Sequence, residues 1–148
     1  MGKLRWGIIG CGVIAPWHAD SVVASEYADL VAACDVDVPK GEAFAGKYGI
    51  SFYADYHAML ASGEVDVVSI CTPSGLHSEM TVAAAEAGVH VLCEKPMAIT
   101  VPQMDAMMGA VETAGVKLEV IFQRRTYEIT QTVREAVQSG LLGQMTLG

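Results

Sequence analysis

Basic charge is scarce in this sequence, and long apolar runs are missing. Across 148 residues, 9 lysines and arginines face 17 aspartates and glutamates, for a formal net charge of -8. Nucleic-acid-binding proteins usually carry a basic patch, so this balance argues against a nucleic-acid partner. No apolar run reaches the roughly 18 residues that a membrane span needs, and no signal peptide precedes the first strand. We therefore expect a soluble, cytoplasmic protein with no membrane partner.

Paired cysteine motifs are missing as well. The four cysteines stand at positions 11, 34, 71 and 93, and none forms a Cys-x-x-Cys pair. Zinc sites and thioredoxin-like redox sites commonly use that spacing, so we expect no metal site. Each cysteine falls at the end of a predicted strand. We expect them to be thiols that pack as small apolar side chains.

Short apolar runs alternate with helix-period segments. Because the runs are apolar at nearly every position, they are typical of strands covered on both faces of a parallel sheet. Between them, Asp55 and Thr100 are predicted helix caps, and Gly49 and Gly115 are predicted helix ends. The pattern predicts an α/β fold built on a doubly wound parallel sheet. The candidate strands are Leu4–Ile9, Leu30–Cys34, Ser51–Tyr53, Val65–Ile70, Val89–Cys93 and Lys117–Phe122.

Two further patterns concern the second half of the chain. In the helix after Thr100, an apolar stripe is predicted at Val101, Met104, Met108 and Val111. After residue 122, apolar residues at helical spacing predict another helix, and residues 143–148 look like a strand that has just started. A helix with such an apolar face needs a partner surface to cover it. We therefore divide the chain into residues 1–122 and residues 123–148, the latter as the start of a truncated second domain.

A glycine-rich motif follows the first strand. Gly10, Gly12 and Ala15 form the pattern Gly-x-Gly-x-x-Ala, directly before a predicted helix. In a dinucleotide-binding unit, the first glycine permits the tight turn, the second lets the backbone approach a pyrophosphate, and the small third residue lets helix and strand pack closely. The amides of Val13 and Ile14 would then face phosphate oxygens at the helix N-terminus.

Asp35 closes the second strand, 20 residues after Ala15. A carboxylate at this place accepts hydrogen bonds from the ribose 2′-hydroxyl and repels a 2′-phosphate, so NAD is favoured over NADP. A turn or helix-cap role for Asp35 is the alternative. For His18, in the first helix, a packed histidine and a role near the cofactor are both open.

Further polar residues follow the fourth, fifth and sixth strands, at the edge where ligands of open parallel sheets bind. A lysine next to a nicotinamide could hydrogen-bond a substrate hydroxyl or pass a proton, and Lys95 stands in such a place. The alternative is a surface ion pair between Lys95 and Glu94. The segments are Thr72-Pro73 with His77, Glu94-Lys95-Pro96, and Gln123.

Together and in this order, these motifs resemble the Gfo/Idh/MocA oxidoreductases, a family of Rossmann-fold enzymes. The resemblance implies NAD-dependent oxidation of a sugar, nucleotide sugar or polyol by a homo-oligomer. It implies a second α/β domain for substrate binding and oligomerisation, of which residues 123–148 would be the start. This chain alone would then lack a complete active site. A dinucleotide-binding module or truncated product without turnover is the alternative, and a dihydrodipicolinate- or homoserine-type reductase is disfavoured by Glu94-Lys95-Pro96.

The resemblance also implies a role for each site residue. Lys95 would be catalytic and contact both the reacting hydroxyl and the nicotinamide region. The cofactor would be held at the pyrophosphate by Gly10, Gly12, Val13 and Ile14, at the ribose by Asp35, and along the path to the nicotinamide by Thr72, Pro73, His77, Glu94 and Gln123.

Overall fold

The computed structural model describes residues 2–146 and contains one six-stranded sheet. Its strand order is β3-β2-β1-β4-β5-β6, and every neighbouring pair is parallel. The predicted doubly wound parallel sheet is therefore confirmed. The strands are β1 (Leu4–Ile9), β2 (Ala28–Cys34), β3 (Ser51–Tyr53), β4 (Val67–Ile70), β5 (His90–Cys93) and β6 (Leu118–Val120). The helices are α1 (Ala15–Val23), α2 (Val38–Tyr48), α3 (Tyr56–Ala61), α4 (His77–Glu86), α5 (Val101–Ala114) and α6 (Glu128–Gln138).

The helix ends follow the capping residues. Asp55 caps α3 by accepting a hydrogen bond from the His57 N–H, and the Thr100 hydroxyl oxygen accepts one from the Gln103 N–H at the start of α5. Each bond satisfies a donor that has no partner within the helix. Gly49 and Gly115 end α2 and α5 in the left-handed conformation. All four positions were predicted.

The core lies on both faces of the sheet. On one face, Ile8 and Ala33 pack against Ala15 of α1 and Phe44 of α2. On the other, apolar side chains of β4 and β5 pack against α3, α4 and α5. The burial of both faces explains why the strand sequences are almost uniformly apolar. The carboxyl ends of the strands meet at one edge, where the loops to the helices begin.

One sequence expectation is only partly right and another is wrong. The predicted stripe of α5 holds at Met104, which packs on the core, and at Val111, which is buried. Val101 and Met108 are exposed, and Met107 is buried instead; Met107 and Met108 both fit the helical spacing from Met104 and Val111. Residues 143–146 do not form a strand, and the remaining two residues of that prediction lie outside the described part of the chain.

Helix α6 lies apart from the sheet core. Its principal contacts are with the short 3-10 helix Gln123–Thr126 that precedes it. The apolar side chains of Ile129, Val133 and Val137 are spaced four residues apart and are exposed, Ile129 by 69%. The predicted helix exists, but its apolar face has no cover within residues 2–146. None of the helices described is both long and apolar enough to cross a membrane.

Candidate cofactor and active site

The turn between β1 and α1 requires a glycine at position 10. Gly10 has a φ of +91°, which residues with a side chain rarely adopt. A Cβ there would lie 2.8 Å from Thr72 Cγ2 and 3.0 Å from the Cys71 carbonyl carbon. The Gly10 N–H donates to the Cys34 carbonyl at 2.8 Å, which ties the turn to the end of β2. The turn is thus packed directly against two neighbouring strand ends.

Gly12 faces open space. A Cβ at Gly12 would meet nothing within 4 Å, so its absence leaves the backbone bare toward solvent. The next residues, Val13 and Ile14, precede the first turn of α1, and no protein acceptor within residues 2–146 binds their N–H groups. Free N–H groups at a helix N-terminus attract anions. This cradle fits the pyrophosphate of a dinucleotide.

Asp35 connects the glycine turn to the loop after β2. It is 7% exposed, and its Oδ2 accepts a hydrogen bond of 2.7 Å from the Cys11 N–H, while Oδ1 accepts one of 2.8 Å from the Asp37 N–H. The Lys40 ammonium lies 2.9 Å from Oδ2. Burial opposes the charged form, but the bonds from Asp37, Lys40 and Cys11 outweigh it and lower the pKa of Asp35. Asp35 is therefore held as a carboxylate beside the glycine turn.

Lys40 is a site residue that the sequence pattern did not identify. Asp37 caps α2, and the first turn of that helix places Lys40 with its ammonium on Asp35. Long helical side chains point back toward the N-terminus of their helix, which accounts for this reach. The capping aspartate three residues before Lys40 is the signal that could have located it.

The loop after β4 contains Thr72 and Pro73, and His77 follows as the first residue of α4. Thr72 packs on Gly10, as the position of the missing Cβ shows, and Pro73 is exposed beside it. His77 is only 1% exposed, and its ring nitrogens contact the carbonyl oxygens of Pro96 at 2.8 Å and Thr72 at 3.0 Å. His77 thus lies beneath the edge of the sheet, in contact with the backbone of both loops.

Glu94 and Lys95 point in different directions. Glu94 is 8% exposed, and its Oε1 lies 3.0 Å from His18 Nε2. Its other oxygen accepts a hydrogen bond from the Lys95 N–H at 3.1 Å. Lys95 itself is exposed, and within residues 2–146 its ammonium forms no ion pair with Glu94 or any other carboxylate. The alternative of a Glu94–Lys95 ion pair is therefore wrong, and His18 is a buried residue paired with Glu94.

A groove of about 620 Å³ opens beside this pair. Its walls combine apolar side chains of α1 and of the sheet with polar ones, among them Glu94, His18 and Gln123. Apolar walls with a few converging polar groups are typical of ligand sites. The structure thus brings Glu94 and Gln123 together, although 29 positions separate them in the sequence. Further lining residues are Trp6, Ile14, Trp17, Leu92, Ile121 and Tyr127.

All four cysteines are buried free thiols, as predicted. Burial raises the pKa of Cys11, Cys34 and Cys93 to about 12, and raises that of Cys71 even further. A buried thiol with a raised pKa is unreactive, because the thiolate is the nucleophile. Within residues 2–146, no three His, Cys, Asp or Glu side chains are grouped so as to hold a metal ion.

We expect the native thiols to react slowly with a disulfide reagent such as DTNB. With a pKa of about 12, roughly one thiol in 10,000 is ionised at pH 8, compared with about one in four for an ordinary cysteine. Modification at pH 8 should therefore be at least about 100-fold slower in buffer than in guanidinium chloride. Equal rates in the two solvents would contradict the burial of the thiols.

Comparison with known proteins identifies the domain. Residues 4–122 match the family model described as "Oxidoreductase family, NAD-binding Rossmann fold". The D-glucoside 3-dehydrogenase of Escherichia coli (strain K12) is 42% identical over 96% of this chain and 41% of its own length. The myo-inositol 2-dehydrogenase of Thermotoga maritima is 33% identical over 95% of this chain and 42% of its own length.

A solved structure agrees with these matches. The WlbA dehydrogenase from Bordetella pertussis, crystallised with NADH and UDP-GlcNAcA, superposes with a TM-score of 0.93 at 35% identity, over 96% of this chain and 44% of that one. The chain thus spans about two fifths of the length of these relatives. The family match covers most of the chain, including the glycine turn, Asp35 and the Glu94-Lys95-Pro96 segment. The chain therefore belongs to the Gfo/Idh/MocA oxidoreductase family, and residues 4–122 are its NAD-binding Rossmann domain.

Proposed function

We propose that this chain supplies the cofactor-binding part of an NAD-dependent dehydrogenase that oxidises a hydroxyl group of a sugar, nucleotide sugar or polyol. The observation that carries the proposal is the bond between the Cys11 N–H and Asp35 Oδ2, 2.7 Å long. It places a carboxylate beside the bare turn at Gly12, where a ribose adjoins a bound pyrophosphate. The relatives described above, a D-glucoside 3-dehydrogenase and a myo-inositol 2-dehydrogenase, support the substrate class.

Different residues of the site would bind different parts of the cofactor. The turn from Gly10 to Gly12 and the N–H groups of Val13 and Ile14 would bind the pyrophosphate. Asp35 would accept hydrogen bonds from the adenosine ribose, and the Asp35 charge would repel a 2′-phosphate. Thr72, Pro73, His77, Glu94 and Gln123 would form the path to the nicotinamide, with His77 acting from below through the backbone of Thr72.

Lys95 would carry the acid–base chemistry. When bound, NAD supplies the acceptor for the hydride that leaves the substrate carbon. The exposed Lys95 side chain can reach past the edge of the sheet, since within residues 2–146 no carboxylate holds it. There it would bind the substrate hydroxyl and take the hydroxyl proton while the carbon loses its hydride. The products are a carbonyl compound, NADH and a proton on Lys95.

The test is a calorimetric titration of the chain with NAD and with NADP. We expect NAD to bind at least about tenfold more tightly, a difference of roughly 1.4 kcal/mol. Asp35→Ala should weaken NAD binding and remove most of that preference, because the ribose acceptor and the charge are lost together. Asp55→Ala is the matched control, since Asp55 caps α3 through the same kind of bond.

Two results would count against the cofactor assignment. One is equal affinity of the unaltered chain for NAD and NADP. The other is an Asp35→Ala chain that keeps the preference while remaining folded by circular dichroism.

A dinucleotide-binding module without turnover is the second candidate function. It is favoured by the open position of Lys95, which is exposed and is not among the residues that line the groove. Binding of NAD without NADH formation from any sugar or polyol would favour it.

We also propose a cellular location, an oligomeric state and a domain division for the protein. The four free thiols suit a reducing compartment, and with NAD chemistry they support a cytoplasmic location. The exposed apolar face of α6 supports a homo-oligomer, because large apolar surfaces mark contacts. The family match ends at residue 122, which supports residues 123–148 as the start of a substrate and oligomerisation domain.

A further inference from the structure

The short segment Glu94-Lys95-Pro96 is anchored by its first residue to helix α1. Glu94 Oε1 lies 3.0 Å from Nε2 of His18, and both side chains are buried. The other carboxylate oxygen accepts a hydrogen bond from the Lys95 N–H at 3.1 Å. One carboxylate therefore connects the pyrophosphate-binding helix to the backbone of Lys95. Loss of the contact from His18 would free the Glu94 side chain and with it the Lys95 N–H.

The same segment is anchored by its last residue to His77, the first residue of α4. His77 Nδ1 lies 2.8 Å from the Pro96 carbonyl oxygen, and Nε2 lies 3.0 Å from that of Thr72. Both partners are carbonyl oxygens, which only accept, and a neutral imidazole carries one N–H, so the ring donates to Pro96 in the tautomer with the proton on Nδ1. His77 is almost completely buried, and a hydrogen bond away from water holds its partners firmly.

We propose that His18 and His77 are positioning residues that fix the backbone on either side of Lys95. Lys95 has a long, exposed side chain that forms no ion pair with the described residues 2–146, so its place in the site depends on where its backbone is held. The Glu94 N–H, which donates to the Ile70 carbonyl at 3.1 Å, fixes only the strand side of this segment. Met97 and Ala98 hold the far side of the segment by packing in the core. The two histidines add polar anchors next to Lys95, one through a side chain and one through a carbonyl. This inference rests on the catalytic role proposed for Lys95.

The geometry predicts opposite outcomes for asparagine and glutamine at the two positions. The amide nitrogen of asparagine lies near the place of Nδ1, and that of glutamine lies near the place of Nε2. At position 18, where Nε2 makes the contact, glutamine should retain the anchor and asparagine should lose it. At position 77, where Nδ1 contacts Pro96, asparagine should retain the anchor and glutamine should lose it.

The experiment measures the ¹⁵N order parameters of the Lys95 and Met97 amides, which flank Pro96, in the chain without cofactor. Rigid backbone gives about 0.85, and a flexible segment gives below about 0.6. We expect rigid values in the unaltered chain, His18→Gln and His77→Asn, and flexible values in His18→Asn and His77→Gln. Asparagine and glutamine at His57, which is exposed on α3, should leave both amides rigid and serve as matched controls.

The proposal is overturned if the order parameters remain at about 0.85 in all four variants at His18 and His77. It is also overturned if asparagine and glutamine lower the order parameters equally at each position, because a loss of packing alone explains that result. If a variant unfolds, the ring nitrogens of the unaltered chain decide instead. The proposal requires a proton on His18 Nε2 and on His77 Nδ1, and a bare nitrogen at either place refutes it. These measurements need no NAD, so a failure of cofactor binding in calorimetry is a separate result.

Discussion

Replacing Gly10 with alanine is expected to destabilise the fold severely. The new Cβ would lie 3.0 Å from backbone atoms of both Cys71 and Thr72, at a φ of +91°. The unusual backbone conformation costs about 1–3 kcal/mol for a residue with a side chain. Overpacking against backbone, which cannot rotate away, costs about another 1–3 kcal/mol. Since domains are stable by about 5–15 kcal/mol, urea unfolding should show a large loss or no folded state.

The same substitution at Gly12 should separate binding from folding. A Cβ there meets nothing within 4 Å, so the fold should keep its stability within about 1 kcal/mol. The added methyl group, however, occupies the place where the backbone must approach the pyrophosphate. We expect the affinity for NAD to fall about 100-fold, or roughly 2.7 kcal/mol, in calorimetric titration.

Gly46→Ala provides the control for both changes. Gly46 lies inside α2, also with free space around its missing Cβ. Alanine is preferred over glycine within a helix by about 0.5–1 kcal/mol, so this variant should be slightly more stable and bind NAD normally. A Gly10→Ala chain as stable as Gly46→Ala would refute the packing described for the turn. Normal NAD binding by Gly12→Ala would exclude the turn as the pyrophosphate site.

The sheet and the cofactor turn were accessible from the sequence because local signals determine them. The strands Leu4–Ile9 and Ser51–Tyr53 have the predicted limits, since turn and cap signals stand close to them: Gly10 after the first, and Gly49 and Asp55 around the second. The position of Gly10 follows likewise from a strand, a turn and a helix that are contiguous in the chain. In such cases the residues that decide the structure are also neighbours in sequence.

Contacts between distant residues were not accessible in this way. His18 and Glu94 are 76 positions apart, and neither residue type nor spacing shows that they pair. The two contacts of the His77 ring, with the carbonyl oxygens of Pro96 and Thr72, depend on how two loops approach each other. In α5, Met107 and Met108 are equally apolar, so only packing on α4 decides which is buried. A strand at residues 143–146 would need a neighbouring strand for its hydrogen bonds, and no pattern within one segment supplies that partner.

Replacing Lys95 with alanine is expected to give the largest loss of activity. In a preparation that forms NADH from a sugar or polyol, kcat should fall by about 10²–10⁴, the usual contribution of a positioned acid–base group. NAD affinity should change little by comparison, because the pyrophosphate and ribose contacts lie at Gly12 and Asp35. Lys95→Arg should recover little activity, since a guanidinium keeps its charge and cannot take the hydroxyl proton. NADH absorbance and calorimetry measure the two quantities.

Lys117→Ala is the matched control, because Lys117 is also an exposed lysine, at the opposite end of β6 from the site. It should leave kcat and NAD affinity unchanged. If Lys95→Ala instead raised KM with kcat unaltered, Lys95 would bind substrate equally in the ground and transition states and would not transfer the proton. Equal kcat for the alanine variant and the unaltered protein would remove Lys95 from the chemistry altogether. The proton acceptor would then have to be sought among other groups that reach the substrate, since Glu94 is committed to His18 and to the Lys95 backbone.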